Sequence, residues 1–333
     1  MNAGTTQLLH RFRQIKDGKK PRIIFPEGED PRIREAAERL AHEGLLTPVL
    51  VAAGKFQLPA GVEFVDILEP ETRGHVRLIA DHRAAATGKI FSDDMLRDPL
   101  MVAALLTGAE NADGMVAGVQ HPTSEVLRAV LRGIGTAPGI ETLSSCFVMI
   151  FPEDCPAGGQ VLLFADCAVV IEPTASQLSD IALATAQTAS NLLNLDPRVA
   201  FLSFSTRGSA QHGTVDLVKE ALKITRERQP DLTCDGELQF DAAIIPDIAN
   251  RKAPGSPLEG AANVLIFPHL DAGNIAYKLA ERLASADAIG PLLQGIARPA
   301  CDLSRGANVD DIINAAWCVA AQGMGAGKPQ ELK

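Results

Sequence analysis

No two of the six cysteines form a CxxC pair, and no two of the seven histidines form an HxxxH. Cys146, Cys155, Cys167, Cys234, Cys301 and Cys318 are scattered, which removes the spacing a zinc site needs. Isolated cysteines in a chain of 333 residues fit a reducing compartment, with the thiols free and mostly buried. No run of 18 apolar residues is present, so no membrane span is expected. The N-terminal stretch MNAGTTQLLHRFRQIKDGKK lacks a secretory apolar core. Leu8, Phe12 and Ile15 have helical spacing and predict a first surface helix, with a transit peptide as the other reading; a cytoplasmic location is the expectation.

An excess of basic charge is also missing. The chain has 31 Lys and Arg against 41 Asp and Glu, a formal net charge of −10, which argues against a broad nucleic-acid surface. A local anion site stays open, because a few arginines at helix starts dominate a single cleft. Nucleotide fingerprints are absent as well. No GxGxxG follows a strand, and GMGAGKP at 323–329 fails as a Walker A loop, since Gln322 takes the first Gly position and Pro329 the hydroxyl position. That segment reads as a flexible tail. No internal repeat or low-complexity tract is found.

What is present is a globular α/β chain. Hydrophobic residues make up 46% and charged residues 22%, and the length suits two ordinary domains or one large one. Residues 22–25 read as a buried strand, Asp30 as a helix N-cap with Pro31 in the first turn, and Ile33, Ala36, Ala37, Leu40 and Ala41 as the apolar stripe of a helix that Gly44 stops. A strand at 48–52 completes a βαβ unit, which favours a parallel sheet covered by helices. Further strands are predicted at 64–68, 114–118, 144–151, 161–171, 199–205, 236–240 and 263–267. Two helical segments precede residue 110 and another spans 123–133. Pro152, Pro156, Gly158 and Gly159 turn the 144–151 and 161–171 pair into a hairpin. The last helix, 309–321, carries Val309, Ile312, Ile313, Ala316, Trp317 and Ala320 on one stripe, with Asp311 roughly opposite. A composition shift near 137–141 suggests a boundary. The expected domains are 1–140 plus 292–333, and 141–291.

Four stretches combine chemistry with a strand-to-helix position. STRGSAQHG places Ser205, Thr206 and Arg207 where small residues let backbone N–H groups face an anion, although an ordinary turn has the same spacing. DGELQFDAA alternates Asp235, Glu237 and Gln239 with Leu238 and Phe240. Paired carboxylates there would serve acid–base or metal chemistry, but a strand with one polar face is the stronger reading. GVQHPTSEVLRAVLR puts Thr123, Ser124 and Arg128 in the first turns of a helix, where free N–H groups and the helix dipole attract anions; His121 alone reads as structural. CDLSRGANVDD brings Ser304, Arg305 and Asp311 to another helix start. Asn308 is a plausible N-cap there, so Asp311 serves either chemistry or the helix.

DLSRG, with the helix opening at Asp310-Asp311, resembles the closing signature of the phosphate acetyltransferase family. IIFPEGEDPRI, ADGMVAG, LLFADCAV, LSFSTRGS, DGELQFDAA, KAPGSPLEGAANVLIFP and AGNIAYKLAERL resemble family motifs in the family's order, over almost the whole chain. TLSSCFVMIF and the short length are most similar to stand-alone forms, including those of ethanolamine-utilisation systems. The resemblance implies two three-layer α/β/α domains with the active site in a cleft between them, akin to the isocitrate/isopropylmalate dehydrogenase fold, and a homodimer. It implies reversible acetyl transfer between coenzyme A and phosphate, with acetyl-CoA and acetyl phosphate as the acyl carriers. No tightly bound cofactor, metal or nicotinamide is implied, and no nucleic-acid or membrane partner. The family's serine–arginine pair falls on Ser304 and Arg305, its catalytic aspartate on Asp311, and its phosphate-site arginines on Arg128 and Arg83. Pro122 stands where many relatives have Ser or Thr.

The chemistry this implies is direct attack of the thiol on the acyl carbonyl. Arginines would hold phosphate oxygens, Asp311 would take the thiol proton, and Ser304 would orient the sulfur or stabilise the oxyanion. A carboxylate near 3.9 facing a thiol near 8.5 leaves a mismatch of about 4.6 pK units, or roughly 6 kcal/mol, for the site to remove. Two rival readings are a phosphate butyryltransferase or other short-chain acyltransferase, and a non-catalytic acyl-CoA-binding module like the one appended to some malic enzymes. A metal-dependent dehydrogenase of the same fold lacks its signatures here.

Overall fold

The computed structural model describes residues 20–54, 57–154 and 159–325. The expected first helix with Leu8, Phe12 and Ile15, the turn positions Pro156 and Gly158, Cys155, and the tail beyond residue 325 lie outside the described residues. The described chain forms two compact units: residues 20–141 join residues 296–325, and residues 142–295 form the other.

In the unit built from the earlier and later parts of the chain, β1 (Arg22–Phe25) leads into α1 (Pro31–Glu43). The Asp30 side chain accepts from the Arg32 N–H, Pro31 occupies the first turn, and Gly44 closes the helix in the left-handed region at φ 67°. β2 (Thr47–Ala52), β3 (Glu63–Asp66), α2 (Pro70–Thr87), α3 (Pro99–Gly108), β4 (Gly114–Ala117) and α4 (Thr123–Gly133) follow. The intervening unit contributes β5 (Ser144–Ile150), β6 (Val161–Ala165), α5 (Ala175–Leu193), β7 (Arg198–Leu202), α6 (Gly213–Arg228), β8 (Thr233–Leu238), α7 (Phe240–Ile244), α8 (Pro246–Lys252), β9 (Val264–Ile266), α9 (Leu270–Leu283) and β10 (Asp287–Gln294). The chain then returns with β11 (Ala300–Asp302) and α10 (Val309–Gly325).

The first unit's strands run in the order β3-β2-β1-β4-β11, all parallel. Their apolar runs are buried, as parallel strands covered on both faces require. Side chains alternate between the faces. Ile24 lines a cavity of about 360 Å³ with Val49, Val65 and Leu106, whereas Ile23 faces Gly114, where Val319 of α10 leaves a Cβ no room. The winding reverses between β1 and β4. In open α/β sheets the usual ligand position lies beyond the carboxyl ends of the strands at such a reversal.

In the second unit the order is β10-β5-β6-β9-β7-β8, with β10, β5 and β6 antiparallel and the rest parallel. Phe147, Met149, Phe164, Leu238 and Leu265 belong to its core.

Several strands are shorter than their apolar runs suggest. The strand expected over 161–171 stops at Ala165, because the buried Asp166 carboxylate gathers the N–H groups of Ala168, Val169 and Val170 into a turn. The strand expected at 236–240 is displaced to 233–238, and Phe240 opens a short helix. Asp235 and Glu237 do not form an open polar face: both are buried. β10 and β11 were not expected, since Gly290 and Pro291 break the apolar pattern of β10. The last helix continues through 323–325, which therefore do not begin a flexible tail.

Candidate active site

Three loops meet at the carboxyl ends of β1, β4 and β11, and a network of side chains fixes them. Arg32 is the clamp. Its guanidinium donates to the carbonyls of Arg305 (2.9 Å), Ala307 (2.9 Å) and Val119 (3.0 Å), and to both oxygens of Asp30. The Arg32 hydrogen bond holds the Asp30 carboxyl below its ordinary range, against the opposing effect of burial. One residue two positions past a helix cap thus fixes the backbone of the Ser304-Arg305-Gly306 loop.

Glu27 ties down the loop after β4. Its side chain is fully buried and accepts from four consecutive backbone N–H groups, those of Gly118, Val119, Gln120 and His121, at 2.8–3.2 Å. His121 Nδ1 lies 2.8 Å from the same carboxylate. Gly118 is required here. It sits at φ 111°, and a Cβ on it would strike the Leu303 carbonyl and Asp302 Oδ1. The loops after β4 and β11 therefore pass side by side.

Asp302, the first residue of the DLSRG run, is buried, and its Oδ1 has no hydrogen-bond partner among the described residues. Burial pushes its carboxyl up to about 7. A hydrogen bond with Thr123 opposes the rise, and the charge of Glu27 adds to it. Thr123 opens α4, whose start has no side-chain cap because Pro122 stands there. One turn on, Arg128 is exposed.

Beyond Asp302 the chain reaches the solvent. Ser304 and Arg305 are exposed; the Ser304 hydroxyl accepts from the Gly306 N–H at 3.2 Å. No described residue pairs with the Arg305 guanidinium. Asp311 and Asn308 cap α10 reciprocally. Asp311 Oδ2 accepts from the Asn308 N–H at 2.8 Å, and Asn308 Oδ1 accepts from the Asp311 N–H at 3.0 Å. The structure thus brings Thr123, Ser304, Arg305 and Asp311 to the same edge of one sheet, with Arg128 one turn into α4.

Arg83 stands elsewhere in this unit. It is on α2 and donates through Nε to the Arg132 carbonyl at 2.7 Å, near the end of α4 remote from Thr123; an 11-residue helix spans about 16 Å. Burial lowers its guanidinium below the ordinary value. Ser205, Thr206 and Arg207 belong to the other unit, in the loop after β7. The Ser205 hydroxyl donates to Glu237 at 2.8 Å, Thr206 accepts from the Gln239 N–H at 2.9 Å, and Arg207 pairs with Asp235 at 2.6 Å. Among the described residues, no group of three or more His, Cys, Asp or Glu side chains could hold a metal ion. Sequence reasoning passed over Glu27, Arg32 and Asp302 as site residues and read His121 as merely structural. Only the lone acid at the end of a buried strand, Asp302, left a local signal.

The family model for phosphate acetyl/butaryl transferase matches residues 7–320. The chain belongs to that family. A phosphate acetyltransferase of Clostridium acetobutylicum is 45% identical over 321 residues, covering 92% of this chain and 96% of the relative. Among solved structures, the EutD phosphotransacetylase from Staphylococcus aureus matches with a TM-score of 0.83 at 37% identity, covering 96% of this chain and 99% of that one. A Salmonella typhimurium chain described as a 4-hydroxythreonine-4-phosphate dehydrogenase matches with a TM-score of 0.51 at 11% identity, covering 92% and 99%. That match concerns the fold alone and agrees with the expected dehydrogenase-like α/β architecture of the family. No helix among the described residues is long and apolar enough to cross a membrane.

Proposed function

We propose that the chain catalyses reversible transfer of an acetyl group between coenzyme A and inorganic phosphate. The observation that carries this reading is the Ser304-Arg305 loop: its backbone is clamped by Arg32 while its hydroxyl and guanidinium face solvent at the sheet edge. A planar, permanently charged fork beside a helix start suits a phosphate or acyl phosphate oxyanion. The thiol of coenzyme A attacks the acyl carbonyl directly, Asp311 takes its proton, and Ser304 donates to the oxyanion or orients the sulfur. Thr123 and Arg128 extend the anion site along α4. Arg83 serves a substrate phosphate through the guanidinium nitrogens that the Arg132 carbonyl leaves over, whereas Ser205, Thr206 and Arg207 are engaged with Glu237, Gln239 and Asp235 within their own unit. The two compact units are the two domains, and acetyl is the acyl group carried rather than butyryl.

The same reading makes the protein a cytoplasmic homodimer without a tightly bound cofactor. Support for the cytoplasm comes from the five described cysteines, which are all buried and free. Support for the dimer comes from α9, where Ile275, Leu279 and Leu283 repeat every four residues at 57%, 52% and 81% exposure. Leu279→Glu should halve the molar mass in solution; an unchanged mass would remove this face from the interface.

The decisive experiment is thiol release from acetyl-CoA, with and without phosphate, alongside a panel of longer acyl-CoAs. Phosphate-dependent release with acetyl-CoA preferred is expected. Asp311→Asn should lower kcat by about 10²–10⁴-fold with a smaller effect on KM. Near-normal turnover with a lowered Tm would reduce Asp311 to the helix cap that its bonds with Asn308 already describe.

A further inference from the structure

Glu27 and His121 take no part in the mechanism above, yet their arrangement exceeds what a turn needs. Four backbone N–H groups on one buried carboxylate would be enough to shape the loop after β4. The fifth bond, from His121 Nδ1–H to Glu27, fixes the rotation of a ring that is itself 26% exposed. Ordering a partly exposed side chain has an entropic cost that the loop's own stability does not require. Glu27 takes one ring nitrogen and leaves Nε2 on the side away from the buried acid. An acid that holds Nδ1–H so that Nε2 faces the reaction is the orienting arrangement of the hydrolase triads. His121 is two residues before Thr123, and its loop runs beside Leu303, next to Ser304.

We propose that Glu27 and His121 act as a pair in acyl transfer, Glu27 holding Nδ1–H so that Nε2–H donates to the phosphate group of the substrate. The proposal rests on the acetyl-transfer reading above. In the direction of acetyl-CoA synthesis, the C–S bond forms as the C–O bond to phosphate breaks, and the electron pair goes to the departing oxygen. The thiol proton passes to Asp311 and from there to the phosphate, which leaves as hydrogen phosphate. His121 keeps its proton and stabilises the growing negative charge. Glu27 is the positioning residue of the pair. Three carboxylates face the ring: Glu27 from the loop after β1, Asp98 from the start of α3, and Glu125 from α4. The hydrogen bond from Glu27 raises His121 most, burial opposes it, and the charges of Glu27, Asp98 and Glu125 add to the rise. The ring therefore stays protonated to a higher pH than a free imidazole. Its contribution to phosphate binding is present below that raised value and lost as pH rises through it.

The test follows kcat/KM for phosphate and for acetyl phosphate against pH in the full-length protein, with the ring signals of His121 followed by ¹⁵N NMR during titration with inorganic phosphate. His121→Gln should lower both kcat/KM values by about 10²-fold, leave KM for coenzyme A within about twofold, and abolish the alkaline limb attributed to the ring. Glu27→Gln should move that limb to lower pH. If Glu27→Gln does not fold, His121→Gln and the NMR titration decide alone. Wild-type kcat/KM in His121→Gln, or a ring unmoved by phosphate, overturns the proposal. A wild-type protein inactive with acetyl-CoA and phosphate would overturn the reaction instead, and the ring's response to phosphate would then decide the pair's role.

Discussion

Two loops in this protein carry a serine, an arginine and a glycine in sequence, each after a parallel strand and before a helix, and they are used in opposite ways. In the loop after β7 the side chains turn inward. Ser205 and Gly208 bond the buried Glu237, and Arg207 and Arg226 share the buried Asp235. Burial alone would raise the Glu237 carboxyl, but the Gly208 N–H, its own N–H, the Ser205 hydroxyl and the Lys219 charge together hold it below its ordinary value. In the loop after β11 the backbone is tied from outside and the side chains are not drawn inward: Arg32 binds the carbonyls, while Ser304, which accepts from the Gly306 N–H, and Arg305 reach solvent. The acid beneath it, Asp302, has an oxygen without a partner among the described residues and is pushed up to about 7. The first loop spends its polar groups on stability. The second leaves them exposed, as the proposed acyl-transfer site requires, and strongly perturbed acids gather at functional sites.

The sharpest way to break this contrast is to truncate both arginines. Arg305→Ala should lower kcat/KM for phosphate by about 10²–10⁴-fold with Tm nearly unchanged, because a charge-assisted fork is lost and no internal bond goes with it. Arg207→Ala should behave oppositely, lowering Tm and leaving kcat/KM within about tenfold, since it exposes Asp235 to Arg226 alone. Equal kinetic losses in the two variants would erase the distinction.

The acids extend the comparison to pH. The unfolded chain ionises Asp302 near 3.8 and the folded chain near about 7, so folding takes up a proton between those values. Its stabilising contribution is full below about 4 and is lost as pH rises through about 7, a change on the order of 4 kcal/mol. Asp302→Asn should therefore gain on the wild type as pH rises from 4 to 8, by urea midpoint. Glu237 has the reverse sign: its contribution is present above its unfolded value and lost as pH falls through the depressed folded one. A pH-independent gap between Asp302→Asn and wild type would show that the folded Asp302 titrates normally.

Local chemistry made much of this legible in advance. α1 was readable end to end because Asp30, Pro31 and Gly44 act on their own backbone, and 123–133 matched α4 because its apolar spacing is regular. Asp235 and Glu237 were misread because alternation suggests an open face, whereas Arg207 and Arg226 pair with Asp235, and Ser205 with Glu237, from outside the strand. Glu27 left no trace for a related reason: its partners are backbone N–H groups more than 90 residues away, which have no residue signature. The arginine clamp likewise binds carbonyls some 270 positions on. Sequence patterns report what a side chain does to its own segment; the second loop's scaffold is built from contacts between segments.

The smallest expected effect tests whether structure and chemistry separate within the second loop itself. Asn308 and Asp311 cap α10 reciprocally, so both contribute to the helix start, but only Asp311 carries a carboxylate able to take a proton. Asn308→Ala removes the acceptor for the Asp311 N–H and keeps the Asn308 N–H that holds Asp311 in place. Loss of a cap of this type costs about 1 kcal/mol. That corresponds to about 2–4 °C in Tm for a domain of 150–250 residues, and kcat should stay within about threefold. Asp311→Asn, which keeps an acceptor for the Asn308 N–H, should show the reverse: little change in Tm and a large loss of kcat. If Asn308→Ala instead loses turnover as deeply as Asp311→Asn, the cap geometry rather than the carboxylate's basicity governs the reaction, and the second loop would resemble the first in spending its polar groups on structure.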